Sequence, residues 1–156
     1  MNPFIRVSVA FLATYGAGLV GFFFVDSGVS SWYATLAKPA LTPSDSVFLL
    51  VWLVLYALMA TALAIIWTRD SEKHPTEGWV RFYFVQLLFN AAWTMFFFGL
   101  HAVFTAFIDI LVLGFILLCL VAGACEIDRR AAYLLLPYLA WVIFAAYLNF
   151  GIWWLN

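Results

Sequence analysis

The sequence predicts an all-α integral membrane bundle of five transmembrane helices, forming one domain over residues 1–156. Three observations carry this expectation. Of the 156 residues, 67% are hydrophobic and 21% aromatic, and the mean hydropathy is +1.06. Only 7 basic and 8 acidic side chains are present, far below the roughly one quarter that coats a water-soluble domain. The apolar residues also fall into five runs of about 20 or more, each long enough to cross the hydrocarbon layer. Barrel strands alternate in polarity over about 10 residues and do not fit such runs.

The first run, 4–25, is interrupted only by Arg6 and is too long for a signal-peptide core, so helix 1 is expected to stay in the mature chain. Residues 26–43 turn polar and carry Gly28, Ser30, Ser31, Lys38, Pro39, Thr42 and Pro43, with Trp32 and Tyr33 among them. This stretch reads as a long loop with interfacial aromatics. Helix 2 follows over 44–68, with Ser44 or Asp45 as its N-cap. A polar loop with Pro75 leads to helix 3 over 79–98, and the short step at Gly99 to His101 makes helices 3 and 4 antiparallel neighbours. Helix 4 takes 102–125, a polar turn spans 126–130, and helix 5 takes 131–154.

Six basic residues, Arg6, Arg69, Lys73, Arg81, Arg129 and Arg130, fall on the face holding the N-terminus, against Lys38 alone opposite. The positive-inside rule then puts the N-terminus in the cytoplasm. The net charge of −1, with no basic block, excludes a nucleic-acid footprint. Cys119 and Cys125 are six residues apart on one helix, about 9 Å of rise, which exceeds disulfide reach.

Several motifs are decoys. Gly16 to Gly21 spells the dinucleotide fingerprint, but no strand precedes it and it falls within a span. Close helix packing explains it better: Ala13, Ala17 and Gly21, and Ala10, Thr14 and Gly18, form two small-residue ridges. These ridges and Ala91–Ala92 of helix 3 are alternative contact faces. His74 and His101 lie in connections without a Cys or His at ligand spacing, so no metal site is expected. No hydrolase or ATPase motif occurs.

The informative residues are polar and aromatic side chains inside the spans. Gln86, Asn90, Trp93 and Phe97 share one stripe of helix 3, and Trp141, Ala145, Leu148, Asn149 and Ile152 share one on helix 5. Trp52, Tyr56 and Met59 do the same on helix 2. An amide facing lipid would be poorly satisfied, so these stripes are expected to face inward. Two readings stand. The amides join helices and the tryptophans anchor the interface, or together they wall a cavity for a large, flat, apolar ligand. Trp93 and Trp141 lie deeper than an interfacial belt, which favours the cavity.

Asp109 is the only acid well inside a span. A proton-coupled transporter would use it, whereas the helix dipole or a neighbouring helix would also account for it. Pro137 frees the carbonyl of Tyr133 and is expected to kink helix 5. Cholesterol-contact patterns at Val29, Tyr33 and Lys38, and in reverse at Arg130, Tyr133 and Leu135, arise easily in aromatic membrane chains.

In order along the chain, Trp32-Tyr33, Leu36, Lys38-Pro39, Thr42-Pro43, Trp52, Tyr56, Gln86-Leu87, Asn90, Trp93, Phe96 to Phe98, Asp109, Pro137-Tyr138, Trp141, Phe144-Ala145 and Leu148-Asn149 resemble the translocator protein family, also called the tryptophan-rich sensory or peripheral benzodiazepine receptor family. The resemblance implies a dimeric five-helix bundle that binds porphyrins and, in animal relatives, cholesterol and benzodiazepine-type or isoquinoline drugs beneath the first loop. By position it implies a pocket of Tyr33, Pro43, Trp52, Tyr56, Asn90, Trp93, Trp141, Ala145 and Leu148, with Gln86 helping to orient the ligand and Asp109 as a further site residue. Leu41 and Ser44 replace the family's usual Trp and second Pro in the loop. No basic residue follows Arg130, so the sterol motif is incomplete, as suits a bacterial member of the cell envelope.

The resulting expectation is a receptor, sensor or carrier for tetrapyrroles such as protoporphyrin IX, with no required cofactor and with residues 26–43 as a lid. Two alternatives remain: an enzyme that degrades porphyrin under light, with Trp52 as its catalytic residue, and a proton-coupled exporter of apolar cations using Asp109.

Overall fold

Within a bilayer every backbone N–H and C=O needs a partner inside the chain, which leaves continuous helices as the solution for five long apolar runs. The computed structural model describes residues 2–28, 32–69 and 76–156 and bears this out. The helices are α1 (Pro3–Gly28), α2 (Asp45–Thr68), α3 (Glu77–Thr94), α4 (Val103–Ile127) and α5 (Arg129–Leu155). A wider π-helical turn, Met95–Gly99, extends α3. All five are long and apolar enough to span a membrane. His74, Lys73 and Pro75, and Val29, Ser30 and Ser31 of the first loop, lie outside the described residues.

The boundaries differ from expectation where polar residues were read as loop. The backbone of α1 continues through Gly28, past the expected end at 25. The expected turn over 126–130 contracts to Asp128 alone. That residue does the work of a turn: its carboxylate accepts from Arg130 N at 3.0 Å, Arg130 Nε at 3.2 Å and Arg130 Nη2 at 3.1 Å. It also pairs with Arg69 Nη2 at 2.9 Å, tying the end of α2 to the α4–α5 corner. Ser44 does cap α2 by position, but its hydroxyl meets Ser46 Oγ at 3.2 Å and makes no cap bond. His101, with φ 54°, makes the sharp step from α3 to α4.

In cross-section α1 packs on α2, α2 on α5, α5 on α4, α4 on α3 and α3 on α1, which closes a ring. Lipid supplies little hydrophobic drive between helices, so small residues and interhelical hydrogen bonds decide the contacts. The ridge of Ala10, Thr14 and Gly18 is spent inside the protomer. Ala10 and Thr14 are fully buried, and Tyr83 of α3 donates to Thr14 Oγ1 at 2.9 Å while Thr14 donates to Ala10 O at 2.7 Å. Arg6 donates to the carbonyl of Trp67, and Trp79 Nε1 reaches Leu120 O at 2.9 Å.

The middle stretches of α2, α3 and α5 share one chain of hydrogen bonds. Tyr56 donates its hydroxyl to Asn90 Oδ1 at 2.9 Å, Asn90 Nδ2 donates to Tyr138 Oη at 2.8 Å, and Tyr138 donates to Gln86 Oε1 at 3.1 Å. Nearer the first loop, Trp93 Nε1 donates to Asn149 Oδ1 at 3.0 Å, and Asn149 Nδ2 to Val103 O at 2.9 Å.

Two stability measurements check these ties. Asn90→Leu strands the Tyr56 hydroxyl and removes the donor to Tyr138, whose own proton stays on Gln86, and is expected to cost about 1–2 kcal/mol in detergent unfolding, more than Asn156→Leu; equal small losses would contradict the role given to Asn90. Arg130, then Arg69, hold the Asp128 carboxyl below the usual carboxylate range. A folded-state value lowered in this way stabilises the fold above about pH 4 and is lost as pH falls through the lowered value. Asp128→Asn should therefore lower Tm at pH 7, with the gap to the parent narrowing below about pH 4.

Candidate functional site

A cavity of about 320 Å³ lies in the half of the bundle nearest the first loop. Each wall follows from a local sequence feature. From α2, Asp45, Phe48, Leu49, Trp52, Leu53 and Tyr56 line it, large side chains at helical spacing on one face. From α1 come Tyr15, Gly18, Leu19, Gly21, Phe22 and Val25. Tyr33 and Pro43 of the loop form the roof, and Thr94, Phe98 and Leu148 close the inner side.

The two glycines fix how close α1 stands. A side chain on Gly18 would come within 2.6 Å of the Tyr56 ring, and one on Gly21 within 2.9 Å of Thr94 Oγ1. Sequence reading took both as packing positions, and they also form cavity wall. The other α1 residues, and Asp45, Phe48, Leu49, Leu53, Thr94 and Phe98, were missed. The available signal was that small residues on helix 1 had to face something large, and the facing ring is Tyr56.

The walls are mainly rings. Trp52 lies 5.4 Å from Tyr56, 6.2 Å from Phe48 and 6.0 Å from Tyr138, centroid to centroid. Tyr33 sits edge-on to Phe97 and Phe98 at 6.1 and 5.6 Å, with Lys38 Nζ 4.4 Å over its own ring. Burial first, and then the Asp45 carboxylate, push the Tyr33 phenol above its ordinary value, so it stays a neutral donor at physiological pH.

Of the residues expected in the pocket, Tyr33, Pro43, Trp52, Tyr56 and Leu148 stand on this wall, whereas Gln86, Asn90, Trp93, Asp109, Trp141 and Ala145 do not. The difference has a physical cause. The helix 3 stripe does face inward, but its amides and indole satisfy Tyr56, Tyr138 and Asn149 instead of an open space. Asn90 is one hydrogen bond behind the wall, through Tyr56. Trp141 is one ring behind it, 5.8 Å from Phe48 and 5.5 Å from Phe144. Ala145 is buried in α5, Met59 is buried in the core, and Asp109 is buried in α4 away from the cavity.

The loop is fastened down. Trp32 stacks on His101 at 4.1 Å. Asn156 clasps the Ala37 backbone twice, as acceptor from Ala37 N and donor to Ala37 O, both at 3.0 Å. Tyr147 donates to Ala40 O at 3.1 Å. Among the described residues no cluster of three or more His, Cys, Asp or Glu is placed to hold a metal, and Cys119 and Cys125 are unpaired. The site is thus equipped to hold flat apolar rings by stacking, with few directional groups: the Tyr33 and Tyr56 phenols, Thr94 and the rim carboxylate of Asp45.

Comparison with known proteins agrees with the architecture. The model of the TspO/MBR family matches residues 8–155. The chain is 39% identical to the tryptophan-rich protein TspO of Chlorobaculum tepidum over 89% of its own length and 88% of the relative's. It is 34% identical to the protein of that name from Archaeoglobus fulgidus, over 97% of each. It is 33% identical to the translocator protein of Ovis aries over 87% of this chain and 81% of the other. A five-helix membrane bundle, matched over nearly its whole length, places this chain in the TspO/MBR family as a multi-pass integral membrane protein.

Proposed function

We propose that the protein is a membrane receptor, sensor or carrier that binds porphyrins, protoporphyrin IX among them, and related flat apolar ligands in the cavity beneath the first loop. The observation that carries this reading is Trp52, an indole standing on the wall of an apolar cavity between Phe48 and Tyr56. A macrocycle laid against Trp52 exchanges lipid or water contact for ring stacking, worth about 0.5–1.5 kcal/mol per aromatic pair beyond area burial. At about 320 Å³ the cavity is at the lower end for ligand sites, so on this reading a tetrapyrrole is only partly enclosed and projects from it. Benzodiazepine-type and isoquinoline drugs belong to the same ligand class, and no cofactor is needed for binding.

The cell context belongs to the same reading: a bacterial cell envelope, a homodimer and a cytoplasmic N-terminus. Arg6, Arg69, Arg81, Arg129 and Arg130 all sit at the bundle end opposite the first loop, which supports that orientation. Among the alternatives, light-driven porphyrin breakdown draws support from Trp52 on the wall. Export through Asp109 draws no support from this cavity, off which that carboxylate lies.

Titration of protoporphyrin IX into detergent-solubilised protein, followed by tryptophan quenching, tests the assignment. Trp52→Ala is expected to weaken binding about tenfold, roughly 1.4 kcal/mol, and Trp141→Phe about twofold or less. Equal affinity in the parent and Trp52→Ala refutes it. Illumination of the same samples separates binding from breakdown: a new bilin-like spectrum that Trp52→Phe abolishes favours the enzyme.

A further inference from the structure

We propose that ligands reach the cavity sideways from the bilayer, through the seam between α1 and α2, while the first loop stays fastened. This rests on the binding role just given and narrows its ligands to molecules already dissolved in the hydrocarbon layer.

The seam is where cavity and lipid meet. Leu19 and Phe22 of α1 and Leu49 and Leu53 of α2 line the cavity and are 63%, 51%, 50% and 48% exposed, on two helices that span the bilayer. These four side chains form the boundary at which the site can meet the acyl chains. α1 is also the least embedded helix, with 17% of its most apolar stretch buried against 39% in each of the other four. The seam has a definite lower edge, where Tyr15 donates its hydroxyl to Leu53 O at 3.2 Å and packs 6.0 Å from Tyr56.

The roof is the opposite kind of boundary. Lifting it breaks both Asn156–Ala37 hydrogen bonds and the Tyr147–Ala40 bond. It also unseats Pro39 from Gly151, a contact so close that a Cβ on the glycine would come within 2.7 Å of the proline ring. Below, Gly18 against Tyr56 and Tyr15 bonded to Leu53 O hold α1 to α2, so the parting is confined to the stretch nearer the first loop, where Leu and Phe side chains change rotamer on the time scale of side-chain motion with lipid filling behind them. An apolar ligand taking that route never crosses water.

The test uses the full chain with Cys119→Ala and Cys125→Ala in lipid nanodiscs. One version carries Phe22→Cys with Leu49→Cys across the seam, the other Ala37→Cys with Asn156→Cys across the strap. Each is compared before and after bis-maleimide cross-linking, with protoporphyrin IX delivered from preloaded vesicles and tryptophan quenching followed in time. Closing the seam is expected to slow association and dissociation about tenfold, and closing the strap to change either by about twofold at most. The reverse pattern overturns the proposal. A second measurement, independent of porphyrin, uses nanodiscs made with lipids brominated on the acyl chain. An open seam lets bromine quench Trp52, so Trp52→Phe lowers the quenchable emission, and seam cross-linking does the same in the parent background. Unchanged quenching in both cases overturns the seam. Failure of protoporphyrin to bind before cross-linking would instead sink the binding role, leaving the bromine measurement to decide the route.

Discussion

Four side chains, Tyr56, Asn90, Tyr138 and Gln86, form the constraint on which the rest of this bundle depends. Their three hydrogen bonds, between 2.8 and 3.1 Å, join α2, α3 and α5 at mid-depth. In lipid an apolar contact between helices is worth little more than a contact with an acyl chain, so the polar contacts decide rotation and register. Each is modest, about 0.6 kcal/mol on average in comparable bundles, but they act together and have no good alternative partner in hydrocarbon. Once the Tyr56 hydroxyl is committed to Asn90, its ring has one place to go, and that ring is the floor of the cavity.

The remaining walls follow from that placement. Gly18 lets α1 approach the Tyr56 ring, and Gly21 lets it approach Thr94. Helix 1 thereby becomes a thin outer wall instead of a core element. The same closeness that packs the glycines leaves Leu19 and Phe22 at the boundary between cavity and lipid. At the other end Asn156, Tyr147 and Gly151 of the α5 end hold the loop as a roof. Stiffness above and looseness at the side are thus both written in particular residues.

Five spans were legible because a 20-residue apolar run has one structural solution in a bilayer, and the charge-poor composition left no other class. Helix ends were less legible. Asp128 alone suffices as a turn because it collects four donors, three from Arg130 two residues on and one from Arg69 at the end of α2, and that last, tertiary tie is the one no local pattern displays. The site was half legible. Spacing identified Trp52 and Tyr56 on one face of α2 and Leu148 on the stripe of helix 5, and the resemblance supplied Tyr33 and Pro43. Spacing also put Gln86, Asn90 and Trp93 on an inward face, but an inward face has two possible neighbours, another helix or an open space. Which one applies depends on whether partners such as Tyr138 and Asn149 arrive from α5, and periodicity within one helix carries no information about that.

The central claim is that the amides are committed to the scaffold while Trp52 is committed to the ligand. Indole N–H resonances of uniformly 15N-labelled protein, recorded with and without protoporphyrin IX, test this most directly. The account predicts a large shift or broadening for Trp52, with Trp93, bonded to Asn149, and Trp79, bonded to Leu120, nearly unmoved. A spectrum in which Trp79 and Trp93 respond as strongly as Trp52, or in which Trp52 stays still, would contradict it.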